Sequence, residues 1–132
     1  MSTKAVQEDR EAAILRAVRA FNCFVVLKGC QTLIAGPDEA LRRNDTGNPG
    51  MATGGSGDVL TGIIAAFLAQ SLSPLHAAVA GAFIHGLAGD TAEYEIGGTT
   101  GMIATDLISS LPRAIAHCQN KACPIPAPQS AP

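Results

Sequence analysis

The sequence predicts an α/β fold, and three observations carry that prediction. Ala13, Ile14, Ala17, Val18 and Phe21 form a stripe at helical spacing. Cys23-Phe24-Val25-Val26-Leu27 follows as a continuous apolar run rich in β-branched residues. Such a run suits a strand buried on both faces, as in a parallel sheet. Four glycines in the eight residues Gly50 to Gly57 then break regular structure. Directly after them Val59, Leu60, Ile63, Ile64, Phe67 and Leu68 return to helical spacing.

The chain of 132 residues has room for a single domain at most. Its hydrophobic content of 47% is ample for a core, although Ala and Gly dominate it and there is no Trp. A net charge of −2 supplies no basic face, which argues against nucleic acid as a partner. The opening MSTKAVQEDREAAIL has no apolar signal core, so a cytoplasmic protein is expected. The run Val59–Leu72 is short for a membrane span and is interrupted by Thr61, Gly62 and Gln70. In such a chain Cys23, Cys30, Cys118 and Cys123 read as reduced thiols.

The elements follow in order. Val6 to Phe21 reads as one helix, with Glu8, Asp9 and Glu11 suiting its start and Asn22 ending it. The strand Cys23–Leu27 leads into Lys28-Gly29. Gln31–Ala35 is a second short strand, and Gly36-Pro37-Asp38-Glu39 is a turn. Ala40 to Arg43 is ambiguous and could hold a third strand. A helix from Asp58 to near Ser71 follows the Gly-rich loop. Ser73 caps the next helix and Pro74 takes its first position. That helix, through about Tyr94, is rich in Ala and Gly, so it should pack closely on its predecessor. His85 within it reads as a core histidine, and His76 as a surface one. Gly97–Gly101 is a loop. Thr105-Asp106 opens a last helix that should stop or kink at Pro112. From Gln119 to Pro132 four prolines and few core formers predict a disordered tail.

Two segments are candidates for chemistry. The first amides of a helix lack internal partners and carry partial positive charge, and glycines let an anion approach them. The junction Gly55-Ser56-Gly57-Asp58 is such a place. Ser56 or Asp58 there could simply cap the helix. Alternatively Asp58 is a general base beside a bound phosphoryl group, with the amides of Gly55, Ser56 and Gly57 holding the developing charge. Lys28 is the second candidate. It could be a solvated strand end, but ligands of open α/β sheets bind beyond the carboxyl ends of strands.

The run NPGMATGGSGDVLTGIIAAFLAQ resembles the signature of the ADP/ATP-dependent NAD(P)H-hydrate dehydratases, members of the ribokinase-like superfamily. The resemblance extends from about Val6 to about Ile115. It implies a partial ribokinase-like α/β fold, with two or three short strands and about four helices. Residues 1–118 would be the C-terminal half of a dehydratase domain, and 119–132 the tail. It also implies the site. Lys28, Gly29, Cys30, Gln31 and Thr32 match the Lys-Gly-x-x-Thr segment that contacts the nucleotide, with Cys30 where the family has a small residue. Asn48, Pro49, Gly50, Met51, Ala52, Thr53, Gly54, Gly55, Ser56 and Gly57 complete the nucleotide site. Asp58 is the catalytic base and meets the hydrated cofactor; Gly55, Ser56 and Gly57 assist it.

The implied reaction repairs hydrated NADH or NADPH. Phosphorylation of the hydrate hydroxyl by ADP or ATP, with Mg²⁺, makes a good leaving group, and elimination restores the ring. No protein metal ligand is assigned, and a homo-oligomer is expected. Two alternatives stand beside this reading. One is a small-molecule kinase of the same superfamily, which the dehydratase-type loop argues against. The other is an inactive fragment or binding module that needs the other half.

Overall fold

The structure, a computed structural model, describes residues 3–120. Its elements are α1 (Thr3–Glu8), α2 (Arg10–Phe21), β1 (Val25–Leu27), β2 (Thr32–Ala35), β3 (Arg42–Asn44), a 3-10 turn (Pro49–Met51), α3 (Ser56–Ala69), α4 (Pro74–Ile96) and α5 (Ala104–Asn120). The α/β class stands as anticipated, and the ambiguous stretch Ala40 to Arg43 leads into a third strand, Arg42–Asn44.

The expected first helix is two. Asp9 leaves helical geometry at φ −147°, and its carboxylate accepts from the Ala12 N–H at 2.9 Å, capping α2. Asn22 closes α2 in the left-handed conformation.

The sheet is an antiparallel meander in the order β1-β2-β3, which corrects the parallel expectation. Four residues separate β1 from β2, enough for a hairpin and far too few for a parallel crossover. The strand buried on both faces is the central β2, every residue of which is buried. β1 is an edge strand and only half-buried.

Alternation of side chains across the strands splits the core. Leu33 and Ala35, with Val25 and Leu27, pack on Ile14 and Val18 of α2. Ile34, with Val26, packs on the other face against Leu60 of α3 and Ala78 and Ala82 of α4. The small residues of α4 act as foreseen: a Cβ on Gly81 would lie 2.6 Å from Ile64 Cγ1 of α3. Ser73 accepts from the His76 N–H, and Pro74 begins α4.

α5 forms a third layer, with Leu107 and Ala114 buried against α4. Asp106 accepts from the Ile103 N–H at 2.8 Å, fixing its start. Pro112 does not stop the helix. Its ring leaves the Ile108 carbonyl without an intrahelical donor, but both residues lie on the exposed face, where water can serve. The helix carries through Gln119 and Asn120. The rest of the expected tail, and Cys123 in it, lie outside the described residues.

Candidate functional site

The site is built where the Gly-rich loop enters α3. Gly55 is the N-cap, at φ +84°, a conformation that favours glycine. Among the described residues no side chain caps the helix: the N-cap is glycine and the Ser56 hydroxyl meets His85, so the capping reading of Ser56 and Asp58 fails. The Ser56 side chain is fully buried and turned inward to His85 Nε2 at 3.3 Å. Asp58 is exposed in the first turn. The Ser56 N–H reaches Thr53 O at 3.4 Å, whereas among the described residues the Gly55 and Gly57 N–H groups find no acceptor. A Cβ at Gly54 or Gly57 would face open space. Bare amides, room beside them and one exposed carboxylate therefore coincide at this helix tip.

His85 supports the junction from beneath. Its Nε2–H donates to the Ser56 carbonyl at 2.8 Å. Burial lowers its pKa from 6.5; the Ser56 bond opposes this, and the nearby Lys28 charge adds to it. The imidazole is thus neutral at neutral pH, a core histidine as the sequence suggests.

Lys28 leaves the end of β1 and lies against the Gly-rich loop: Nζ stands 3.5 Å from the Met51 carbonyl oxygen. Its turn is closed by Thr32, whose Oγ1 donates to Gly29 O at 3.2 Å. Gln31 adopts φ +53° and accepts from Arg43 through Oε1 at 2.9 Å. The Cys30 thiol is exposed and its carbonyl accepts from Arg10. Arg10 also donates to Leu27 O at 3.0 Å, so one guanidinium spans the turn. Nothing local in the sequence marks Arg10 as a side chain that works 17 residues away.

The loop before α3 is equally ordered. Asn48 caps the 3-10 turn, its Oδ1 accepting from the Gly50 N–H at 3.0 Å. Pro49 follows in the first position. A Cβ on Gly50 would lie 2.5 Å from Met102 Sδ and 2.8 Å from Thr99 O, so glycine is required. Met51 is buried against Ala92, Met102 and Leu107. Ala52 is exposed and Thr53 half-buried, on the way to Gly54. Asp90 of α4 holds this loop, accepting from the Gly47 N–H at 3.0 Å and from Asn48 Nδ2 at 3.3 Å. It too went unnoticed in sequence, hidden among the small residues of α4.

The two candidate segments therefore form one surface, joined at Lys28 and Met51. A separate groove of about 360 Å³ between β3 and α4, lined by Ile34, Leu72, Val79 and Phe83 among others, holds none of these residues. Among the described residues no group of three or more His, Cys, Asp or Glu side chains could hold a metal ion. Nor is any helix among them long and apolar enough to cross a membrane.

Comparison with known proteins points to a family. The Carb_kinase family, described as NAD(P)H-hydrate dehydratase, matches residues 1–113. A bifunctional NAD(P)H-hydrate repair enzyme of Moorella thermoacetica is 46% identical over 88% of this chain and 22% of its own length. An ADP-dependent (S)-NAD(P)H-hydrate dehydratase of Neisseria meningitidis is 46% identical over 77% of this chain and 34% of its own. A solved ADP/ATP-dependent NAD(P)H-hydrate dehydratase of Bacillus subtilis, co-crystallised with ATP and Mg²⁺, superimposes with a TM-score of 0.75 at 33% identity. It covers 85% of this chain and 40% of its own. The chain thus spans from about a fifth to two fifths of the length of these relatives. Its sequence and its fold agree on one assignment: the chain belongs to the NAD(P)H-hydrate dehydratase family.

Proposed function

We propose that this chain acts in the ADP- or ATP-dependent dehydration of hydrated NADH or NADPH, a cofactor-repair lyase reaction. The observation that carries the reading is the contact of Lys28 Nζ with the Met51 carbonyl. It puts the cation, the Gly-rich loop and the tip of α3 on one surface, as an adenine nucleotide would need. Lys28 to Thr32 and Asn48 to Gly57 hold the nucleotide, with the free N–H groups of Gly55 and Gly57 directed at its phosphates.

In the reaction the hydroxyl of the hydrate attacks the terminal phosphorus. Asp58, exposed beside those amides, takes the hydroxyl proton as the bond to the nucleotide breaks. The amides meet charge that grows on the phosphoryl oxygens. Phosphate then departs with its C–O electron pair, and loss of an adjacent proton restores the ring double bond. The donor set fits a Mg²⁺ ion carried in on nucleotide phosphates and waters rather than held in a protein cage. When bound, that ion neutralises phosphate charge. The same reading takes the protein as a cytoplasmic homo-oligomer.

The test is an assay of the purified chain with hydrated NADH plus ADP, ATP or neither, with Mg²⁺ present. Return of reduced-nicotinamide absorbance is expected only with nucleotide. Recovery at the same rate without nucleotide would remove the proposal.

A further inference from the structure

We propose that Asp90 is the positioning residue that sets the conformation of the nucleotide loop, acting through Asn48. The inference rests on the nucleotide reading of that loop and adds a residue to it.

Helix α4 receives the segment from Asn44 to Met51 along one face. The carbonyls of Ala82 and Phe83 accept from Asn44 Nδ2 at 3.2 Å and Thr46 Oγ1 at 3.0 Å. Gly86 and Gly89 let the segment lie directly on the helix: a Cβ would stand 2.1 Å from Thr46 Oγ1 at the first and 2.2 Å from Met51 Sδ at the second. Asp90, one turn beyond Gly86, is the charged end of this face. Its two oxygens serve two different donors on consecutive residues, Gly47 N–H and Asn48 Nδ2.

An ionised carboxylate accepts and cannot donate. Asp90 therefore selects the amino end of the Asn48 amide and turns Asn48 Oδ1 the other way, onto the Gly50 N–H at 3.0 Å. That bond caps the turn Pro49–Met51, and the Met51 carbonyl at its end meets Lys28 Nζ. A carboxylate in α4 thus determines, through three hydrogen-bonded groups, where the nucleotide-facing lysine rests. Gly47 sits at φ +104°, a conformation open to glycine, and in it the Gly47 N–H meets Asp90.

The test uses two variants and two readouts. Asp90→Asn puts an amino group where acceptors are needed, so one of the two donors loses its partner. The double variant Asp90→Asn with Asn48→Asp reverses the polarity of the pair. The new amide at 90 can then donate to the new carboxylate at 48 and still accept from Gly47, while position 48 still accepts from Gly50. Net charge is unchanged. Asp90→Asn should weaken ADP and ATP binding roughly tenfold, the worth of one charge-assisted bond. It should also speed hydrogen exchange at the Gly47 and Gly50 amides and leave that of Leu60 in α3 unchanged. The double variant should bring Gly47 and Gly50 exchange back toward wild type; affinity is read on Asp90→Asn alone, because Asn48 itself faces the nucleotide. Unaltered affinity and Gly50 exchange in Asp90→Asn would overturn the inference, as would a folded double variant in which Gly50 exchange stays fast. A wild-type chain that binds no nucleotide overturns the reading of the site itself, and does so before any variant is made.

Discussion

The Nε2–H of His85 in α4 donates to the carbonyl of Ser56, the first residue of α3, at 2.8 Å. One buried imidazole therefore ties the long helix to the residue around which the Gly-rich turn enters α3. His85→Leu leaves the Ser56 carbonyl buried without a donor and should destabilise the fold by about 1–3 kcal/mol at neutral pH. The pH dependence has a definite sign. Burial, with a smaller contribution from Lys28, holds the folded pKa below 6.5. The unfolded chain then binds more protons than the folded one as pH falls below about 6.5. Wild-type stability should fall across that range, and His85→Leu should lose that part of the slope. Urea unfolding at about pH 8 and about pH 5 measures both.

Asp58→Ala separates binding from chemistry. The residue is exposed in the first turn of α3, so its loss should change stability by no more than about 1 kcal/mol through the helix dipole. Removal of the proposed general base should lower turnover about 10²- to 10⁴-fold. Nucleotide affinity should hold or rise, because a negative charge beside the phosphates is gone. Turnover and calorimetric titration on the same preparation decide it; undiminished turnover would assign the proton transfer to another group.

What the sequence revealed follows from how locally each feature is encoded. The Gly-rich loop, the Ser73-Pro74 start of α4 and the Asn22 end of α2 are written in adjacent residues, and each is where the residues indicate. Strand direction is misread because the continuous apolar run Cys23–Leu27 looks doubly buried, as in a parallel sheet. The four-residue gap between β1 and β2 held the correcting signal. The supports of the site were hardly legible: His85 reads as a core histidine, but nothing local names its partner, and Arg10 and Asp90 carry no signal. Arg10, His85 and Asp90 act on backbone 17 to 43 residues away. Ser56 shows the same limit from the other side: its position suggests a cap, and only the arrival of α4 explains why its hydroxyl turns inward.

Two glycines should respond in opposite ways to the same change. A Cβ on Gly86 would lie 2.1 Å from Thr46 Oγ1 and 2.6 Å from the Thr46 carbonyl carbon, and backbone cannot step aside. Gly86→Ala should therefore destabilise by about 1–3 kcal/mol, as overpacking does. Gly62 lies exposed inside α3 with nothing near its Cβ position. Gly62→Ala should stabilise by about 0.5–1 kcal/mol, because the helix no longer orders a glycine. Paired thermal melts test the contrast.

Lys28→Met isolates the cation at the junction of the two segments. Lys28 is exposed and its contact with the Met51 carbonyl is long, at 3.5 Å, so the folded state should hardly notice the change. A bond from an ammonium to a phosphate is charge-assisted, and its loss should weaken nucleotide binding about 10- to 100-fold. The binding that remains should depend less on salt, since one screened charge has been removed. A second readout needs no ligand. Lys28 contributes to lowering the His85 pKa, so Lys28→Met should raise it, while burial still keeps it below 6.5. An NMR titration of the His85 ring follows that shift directly. A ring that titrates identically in both proteins would mean that the lysine does not rest beside the Ser56–His85 pair, and the joining of the β1 end to the Gly-rich loop would be lost with it.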